Sequence, residues 1–253
     1  MEEALLIERV VEEVWKRLQE RQRRALVLFT GGTIGVEDAL SSLAILQEQG
    51  WSFTAVVTPG AERALGTERI AGALPGATIL TEENGWPPGP LLREHRLILV
   101  PVLTVNSAAK VAVGIADNLV TTLILEGLLM GKPVLAARDA CQIDHPVRTR
   151  LGMDRGQPAL REQLAKNLEK LAAYGIHLLP AGELASAAEE LVSFPGRFWG
   201  KKEAASRVFT GKVLSRSQVA AWQGREIIVA RDTVITPLAR ELAVERGLKI
   251  RSQ

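Results

Sequence analysis

The segment from Pro101 to Ala137 constrains the fold of this chain more than any other. The apolar run Leu97 to Val100 precedes it and is typical of a strand buried on both faces. Three short polar side chains follow at the predicted change from strand to helix: Thr104, Asn106 and Ser107. In an open α/β sheet, ligands bind at the carboxyl ends of strands, where helix N-termini present free N–H groups. This turn is therefore a candidate binding site, and a helix N-cap at Asn106 or Ser107 is the alternative.

Apolar runs alternate with helical patterns over most of the chain. The runs predicted as strands are 25–30, 52–58, 77–80, 97–100, 133–137 and 176–179, of which 77–80 is expected at a sheet edge. The predicted helices include 36–49, 158–173 and 184–192. Strands and helices that alternate at this spacing indicate an α/β fold, a Rossmann-like doubly wound parallel sheet.

The sequence divides into three predicted parts. Residues 1–24 are expected to form an amphipathic helix, and residues 25–195 a nucleotide-binding domain. After a Gly/aromatic break, residues 203–253 predict a small α+β appendage, short for an independently stable domain. Thr236 is a good N-cap there because Pro237 follows it at the first helical position. We expect this appendage to pack on the main domain or on a partner.

Charge and composition exclude several classes of protein. A net charge of +2 over 253 residues predicts no strong attraction to nucleic acid or membranes, and no apolar run is as long as a membrane span. With one cysteine, Cys141, and three histidines, neither a disulfide framework nor a structural metal site is expected. The N-terminus does not read as a secretory signal, so a cytoplasmic location is predicted.

A glycine-rich turn, Gly31-Gly-Thr-Ile-Gly35, follows the first predicted strand. Glycines let backbone N–H groups approach a phosphate, and Thr33 adds a hydroxyl group. The turn is neither G-x-G-x-x-G nor a P-loop, so a tight turn without a ligand is the alternative. The second strand ends at Thr58 with no acidic residue, which disfavours NAD and is compatible with a mononucleotide.

Two loops are candidates for weaker substrate contacts. Residues 82–90 form a predicted loop made rigid by prolines, in which Trp86 either stacks on a planar ligand or covers the edge of a core or interface. A second polar loop begins with Arg138 and Asp139, after a strand whose carboxyl end faces the predicted site. Cys141 has no evident base and orienting acid in the sequence, so we predict an inert thiol.

The first predicted helix spans residues 3–23. Its apolar positions follow 4-3-4 spacing: Ile7, Val11, Val14 and Leu18. This pattern is typical of a helix that packs on its own domain, and also of a helix that docks in a partner's groove. Both interpretations stay open.

Three short motifs occur in one order along the chain. They are Gly32-Thr-Ile-Gly35, Thr58-x-x-Ala61, and Asn106-Ser-Ala-Ala-Lys110 followed by Gly114-Ile-Ala-Asp-Asn-Leu119. They are similar to the G-S-I-A turn, the T-x-x-A turn and the N-T-x-A-K-x-A-x-G-x-x-D-N-L segment of one family. That family is the flavoprotein family of homo-oligomeric flavin-containing cysteine decarboxylases, which this chain resembles over residues 25 to 180.

The resemblance implies a Rossmann-like fold, assembly as trimers or multiples of trimers, and FMN held near a subunit interface. The cofactor-binding residues that it implies are Gly31, Gly32, Thr33, Ile34, Thr58, Thr104, Asn106, Ser107 and Lys110. For Lys110, a solvated face or an intersubunit ion pair is the alternative. Asp117 and Asn118 are expected to fix the next helix or a subunit contact.

The chain departs from that family at two places. The decarboxylases carry a His just ahead of the strand that leads to the third motif, where this chain reads Asn84-Gly-Trp-Pro-Pro88, and His95 lies too close to the strand to match. Ala137-Arg-Asp-Ala140 replaces their P-A-M-N motif. Both departures weigh against cysteine decarboxylation. The small subunit of dipicolinate synthase also lacks that His, and its C-T-G-N-T-L-A-K is similar to the L-T-V-N-S-A-A-K of this chain.

Both ends of the chain carry a second resemblance. The segment from Thr233 to Ile250 is similar to a T-P-L-A-[RK] tail of several enzymes associated with bacterial microcompartments. The N-terminal helix resembles the short amphipathic peptides that send cargo into such shells. This implies a location inside a bacterial microcompartment and contact of residues 3–20 with a shell protein.

The sequence predicts an FMN-binding flavoprotein with redox or decarboxylase-like chemistry on a small metabolite. One alternative is a non-catalytic structural subunit of the same fold, which the missing His favours. The other is an NAD(P)-dependent reductase. The sequence identifies no general acid or base.

Overall fold

The computed structural model describes residues 13–14, 17, 21–82, 86–193, 208–209, 211–222, 226–231 and 233–252. The chain divides into two compact units, Met1–Phe194 and Pro195–Gln253. Of the predicted N-terminal helix, residues 13, 14, 17, 21 and 22 are helical. The remaining residues of that helix, among them Ile7, Val11 and Leu18 of the predicted docking face, lie outside the described part of the chain.

A six-stranded parallel sheet, in the order β3-β2-β1-β4-β5-β6, forms the centre of the first unit. Its strands are β1 (Arg24–Phe29), β2 (Ser52–Val57), β3 (Thr78–Thr81), β4 (Leu97–Val102), β5 (Val134–Ala137) and β6 (Ile176–Leu179). From β1, the chain adds β2 and β3 on one side and then β4, β5 and β6 on the other, which confirms the predicted doubly wound sheet. β3 lies at an edge, as predicted.

The two central strands are apolar because helices cover both faces of the sheet. Ala25 to Phe29 in β1 and Leu97 to Val100 in β4 are at most 1% exposed. The continuous apolar run, without polar alternation, is what identified these segments as central parallel strands. Their burial places the carboxyl ends of β1 and β4 side by side at the switch point.

The helices of the first unit lie in two layers. They are α1 (Val36–Glu48), α2 (Pro59–Leu65), α3 (Thr67–Ala73), α4 (Pro88–Glu94), α5 (Val105–Ala112), α6 (Leu119–Leu129), α7 (Pro146–Arg150), α8 (Pro158–Ala173) and α9 (Leu184–Ser193). α1 packs with α9, while α5 packs with both α6 and α8. Right-handed crossovers in opposite directions from the switch point put these groups on opposite faces.

The predicted loop over residues 82–90 is wrong at its end. Residues 88–90 open helix α4, with Pro88 at the first helical position, where its missing N–H costs nothing. Leu91 and Leu92 of this helix are buried, at 7% and 1% exposure. Packing of this apolar face therefore overrides the turn signal of the prolines. Residues 83–85 lie outside the described range.

The described residues of the second unit form short parallel strand pairs and two helices. Its elements are β7 (Val208–Phe209), β8 (Val213–Leu214), α10 (Arg216–Ala221), β9 (Glu226–Val229), β10 (Val234–Ile235), α11 (Pro237–Glu245) and β11 (Lys249–Ser252). β8 pairs with β10, and β9 lies between β7 and β11. Thr236 caps α11 as predicted, by accepting a hydrogen bond from the Ala239 N–H at 3.3 Å. Among the described residues, no helix has the length and apolar character needed to cross a membrane.

Candidate functional site

The candidate site lies at the carboxyl edge of the sheet, where buried Thr30 links β1 to β4. Its hydroxyl group donates to the Val102 carbonyl at 2.6 Å and accepts from the Thr104 N–H at 3.0 Å. Thr30 is 2% exposed, so both hydrogen bonds are shielded from water. The sequence pattern marked this residue only as the end of a strand. The structure shows that it holds two turns of the site together.

Thr58 connects β2 to β1 in a similar way. Its hydroxyl group donates to the Phe29 carbonyl at 3.2 Å and accepts from the Ala61 N–H at 3.1 Å, which caps helix α2. Pro59 occupies the first helical position, as suits a residue without an N–H. Thr58 therefore sets the position of its turn through hydrogen bonds within the protein.

The glycines of the first turn are required by close packing. A Cβ atom at Gly31 would lie 2.6 Å from the carbonyl carbon and oxygen of Gly60, and one at Gly32 would lie 2.8 Å from Val102. Gly35 has φ of 81°, a left-handed conformation that favours glycine, and its backbone packs against Asp139. The turns after β1, β2 and β5 therefore touch one another at this edge.

The same turn offers unpaired backbone donors at the start of α1. The N–H groups of Thr33, Ile34 and Gly35 have no acceptor within the described residues, and the Thr33 side chain is exposed. α1 has 13 residues, so the positive end of its dipole adds to the field at these groups. An oxyanion such as a phosphate satisfies such donors, which makes this turn chemically suitable for a nucleotide phosphate.

Thr104, not Asn106 or Ser107, is the N-cap of helix α5. Its hydroxyl group accepts from the Ser107 N–H at 3.3 Å and donates to the Ser107 hydroxyl at 3.1 Å. The predicted capping alternative is wrong because the helix begins at Val105, two residues earlier than a cap at Asn106 requires and three earlier than a cap at Ser107 requires. Asn106 is exposed on the first turn, and its side chain has no hydrogen-bond partner among the described residues. It is therefore available to a ligand.

Lys110 pairs with a carboxylate of its own unit. Its ammonium group lies 2.6 Å from Asp117 and holds the pKa of that carboxyl below its ordinary value. Asn118 caps helix α6 by accepting from the Thr121 N–H at 2.9 Å, and Thr121 reciprocates in a capping box. This confirms that Asn118 fixes the next helix. Lys110 is therefore directed toward Asp117.

Glu82 lies beside the candidate site, although no sequence motif marks it. It follows β3 directly, and because Thr81 pairs with Val57, it lies beside Thr58. Its Oε1 is buried and has no hydrogen-bond partner within the described residues. Burial raises the pKa of this carboxyl group above its ordinary value. The available signal was an acidic residue immediately after a strand, at the edge where ligands bind.

The three predicted substrate residues are not brought together. Trp86 follows β3 and is 43% exposed, whereas Arg138 and Asp139 follow β5. Three strands separate β3 from β5, so the ends of these two strands are about 19 Å apart at the usual strand spacing. The Asp139 carboxylate accepts from the Ala181 N–H at 2.8 Å, which ties it to the turn after β6. No common ligand contact joins all three.

Cys141 and His95 lie outside this chemistry. The Cys141 thiol is 2% exposed, and burial raises its pKa to about 12, in line with the predicted inert thiol. Buried His95 stands just before β4, at the amino edge of the sheet, where Nδ1 contacts the Leu91 carbonyl at 2.7 Å. The described residues contain no group of His, Cys, Asp and Glu that is suited to hold a metal ion.

A doubly wound sheet with interlocked turns and free N–H groups at its carboxyl edge defines a Rossmann-like α/β protein with an anion-binding edge. The sequence model of the Flavoprotein family matches residues 15–194. The chain therefore belongs to the Flavoprotein family. This confirms the family predicted from the three motifs.

Solved structures share the fold. The FMN-dependent cysteine decarboxylase TvaF from thioviridamide biosynthesis has 21% identity and a TM-score of 0.51, over 68% of this chain and 99% of TvaF. DmrB from Burkholderia xenovorans, described in its apo form as a cubic protein cage for redox transfer, has 19% identity and a TM-score of 0.54, over 68% of this chain and 96% of DmrB. No protein of curated function matches the sequence.

Proposed function

We propose that the protein binds FMN at the carboxyl edge of its sheet and uses it in redox or decarboxylase-like chemistry on a small metabolite. One observation carries this proposal: three consecutive N–H groups, those of Thr33, Ile34 and Gly35, lack an acceptor within the described residues at the start of a 13-residue helix. Membership of the Flavoprotein family supports FMN as the phosphate-bearing ligand. TvaF, whose fold is similar, is described as FMN-dependent.

In this proposal, different residues of the chain contact different parts of FMN. The N–H groups of residues 33–35 and the Thr33 hydroxyl hold the phosphate, while Gly31 and Gly32 allow their turn to pack closely enough. Thr58 positions the ribityl side through its hydrogen bonds to the backbone. Asn106, which is exposed, contacts the isoalloxazine or the substrate, with Ser107 beside it. When bound, FMN supplies the electron-accepting chemistry.

Lys110 acts indirectly in this proposal. Because its ammonium group is held 2.6 Å from Asp117, it stabilises the turn that leads into Asn118 and helix α6. Cysteine decarboxylation is not proposed, since Pro88 and its neighbours occupy the region of the expected His and open helix α4. Arg138 and Trp86 remain candidates for substrate contacts on opposite sides of the site.

We also propose that the protein assembles as a trimer or a multiple of trimers. The description of DmrB as a cubic cage supports a symmetric assembly for a chain of this fold. Location inside a bacterial microcompartment, with residues 3–20 on a shell protein, rests on the resemblance of both chain ends alone. Similarity to the dipicolinate synthase branch rests on a different part of the chain, the segment around Asn106.

The proposed cofactor is tested by purifying the protein in the dark and recording its visible spectrum. We expect flavin absorption, or saturable uptake of added FMN by the apoprotein. Thr33→Ala should weaken FMN binding about tenfold, because a hydrogen bond to a charged group contributes about 1.5–3 kcal/mol. The matched control is Thr78→Ala, which changes an exposed threonine at the amino end of β3, away from the carboxyl edge of the sheet. This variant should bind FMN normally. Absence of FMN binding would overturn the proposal, and stabilisation by NAD(P) alone would favour a reductase.

Asn106→Ala separates a ligand contact from a structural role. Since the exposed Asn106 side chain has no partner in the described structure, its removal should weaken FMN binding while the melting temperature of the apoprotein stays nearly constant. Calorimetry and thermal unfolding measure the two effects. An equal loss of stability without flavin would show that Asn106 serves the fold instead.

The shell contact is tested with residues 1–20 fused to a fluorescent reporter. Co-purification of the reporter with microcompartment shells is expected. A reporter that stays evenly distributed in the cytosol would rule out this role for the N-terminal segment.

A further inference from the structure

We propose that Glu82 is a proton-carrying residue of the flavin site and that, in its protonated form, it donates a hydrogen bond to an acceptor atom of bound FMN. This inference rests on the proposed function, because it describes how this chain holds that ligand. It concerns a residue outside the three family motifs described above.

The position of Glu82 follows from strand register. β3 ends at Thr81, which pairs with Val57, so Glu82 is one residue past the sheet and beside Thr58. Neighbouring strands lie about 4.8 Å apart, within reach of a side chain. The turn that Thr58 begins packs through Gly60 against Gly31. Glu82 therefore stands next to two turns of the proposed site.

One carboxyl oxygen of Glu82 is a buried hydrogen-bonding atom that the described part of the chain leaves unsatisfied. Oε1 is buried, and no hydrogen bond satisfies it within the described residues. The Leu119 N–H, at the start of α6, lies close enough to lower the pKa of the carboxyl group, but Oε1 is left without a partner in the described structure. A buried polar atom without a partner costs free energy, which a bound ligand recovers by pairing with it.

The surrounding charges favour the protonated form. Burial is the largest cause of the raised pKa of Glu82, and the Asp117 carboxylate raises it further. Lys110 acts in the opposite direction, but its ammonium group is held 2.6 Å from Asp117, which offsets its charge. Among the described residues, the Asp117 carboxylate, the Lys110 ammonium group and the Leu119 N–H act on Glu82. The carboxyl group therefore keeps its proton to higher pH than an exposed glutamate.

A protonated carboxyl group is a hydrogen-bond donor, whereas a carboxylate only accepts. FMN offers mostly acceptors: ring carbonyl oxygens, ring nitrogens and phosphate oxygens. The bond from Glu82 to FMN therefore exists only while the proton is present, and ionised Glu82 would repel an electron-rich acceptor. Binding of FMN at a pH where Glu82 is partly ionised consequently takes up a proton from solvent.

The test measures the Kd of FMN across pH for the wild type, Glu82→Gln and Glu82→Ala. Wild-type affinity should fall about tenfold per pH unit above the titration of Glu82, as expected for one linked proton. Glu82→Gln should bind without this loss, since its amide donates at every pH, and Glu82→Ala should bind weakly throughout. The FMN phosphate also titrates, near pH about 6, and this changes the Kd of FMN as well. Because residue 82 does not titrate in Glu82→Gln, the pH profile of that variant measures the contribution of the phosphate alone.

Two further variants sharpen the result. Asp117→Asn removes a repulsive charge and frees Lys110, so the midpoint of the wild-type profile should move to lower pH. Glu68→Gln changes an exposed glutamate on α3 and should leave the profile unchanged. Calorimetry of the wild type in buffers of different ionisation enthalpy should show proton uptake on binding.

Identical pH profiles for the wild type and Glu82→Gln, or binding without proton uptake, would overturn the role of Glu82 while FMN binding stands. A wild-type protein that does not bind FMN at all would overturn this inference and the proposed function together. Since Glu82→Gln preserves shape and proton uptake needs only the wild type, the test holds even where Glu82→Ala does not fold.

Discussion

Three threonine hydroxyl groups at the carboxyl edge of the sheet form hydrogen bonds within the protein itself. Thr30, Thr58 and Thr104 each donate one hydrogen bond and accept another within the chain. Their places at strand ends are predictable from the apolar runs that precede them. The hydrogen bonds are not, because each depends on a neighbouring strand or turn that only the folded sheet brings close.

The environment of Glu82, a charged residue, could not be predicted from the sequence either. An acidic residue after a short edge strand reads as solvated in the sequence. In the folded chain, however, one of its oxygens is buried, and helix α6, far along the chain, begins near it at Leu119. Conversely, the exposed position of Asn106 follows from the cap at Thr104, one residue before the helix begins. Both outcomes depend on where helices start, which sequence patterns locate to within a few residues.

His95 makes stability depend on pH. Burial lowers the pKa of His95 below its ordinary 6.5, so the unfolded chain binds a proton more readily than the folded one. The contribution of His95 to the free energy of unfolding should therefore be complete above pH about 6.5. Below that pH it should decline by at most about 1.4 kcal/mol per pH unit. Urea unfolding between pH 5 and 8 measures it. His95→Gln should show a smaller pH dependence, and an unchanged one would contradict this account.

The Cys141 thiol should be inert in the folded protein. It is 2% exposed and has a pKa of about 12, so little thiolate exists at neutral pH. A thiol reagent should label it slowly under native conditions and rapidly in denaturant, and Cys141→Ala should retain FMN binding. Fast labelling of the native protein would show that the thiol is accessible.

At the level of elements, the strands were the most predictable part. β1 and β4 must be apolar on both faces, and this requirement leaves a direct trace in the sequence. Helices α2 and α3, over 59–73, left a weaker trace, because Pro59-Gly60 reads as a turn. The sequence pattern also failed to predict helix α4, because its prolines are typical of a turn. Short helices near a binding edge owe their stability to packing more than to their own residues.

The link between β1 and β4 can be tested at Thr30. Thr30→Val keeps the shape of the side chain but leaves the Val102 carbonyl and the Thr104 N–H without their buried partner. We expect a loss of about 1–3 kcal/mol in unfolding free energy, with weaker FMN binding because two turns of the site separate. Thr30→Ser retains the hydroxyl group and is the control. Equal losses in both variants would assign the effect to packing of the methyl group.

At the level of the molecule, the two units have separate cores. The second unit has its own buried cluster of Leu214, Val219, Ile227, Val229, Ala239 and Ala243. The family match ends at residue 194, at the boundary between the units. The domain limits predicted from the sequence, 25–195 and 203–253, remain a proposal for how the chain folds and functions.

A chain ended after Phe194 tests the independence of the first unit. We expect it to unfold cooperatively and to bind FMN within about twofold of the full chain, since the proposed site lies wholly in residues 30–145. Circular dichroism, urea unfolding and FMN titration measure this. Aggregation, or loss of FMN binding by a folded fragment, would show that residues beyond Phe194 complete the first unit.

The order of strands in the sheet also governs how the chain emerges during synthesis. β1 is made first but lies at the centre, between β2 and β4. Once β2 has paired, the other edge of β1 stays open until the residues from Thr58 to Val102 are made, about 2–9 s at usual translation rates. That edge carries the apolar run Ala25 to Phe29, a ready template for unwanted strand pairing. Shielding of this segment until β4 is made would therefore protect the nascent chain from such pairing.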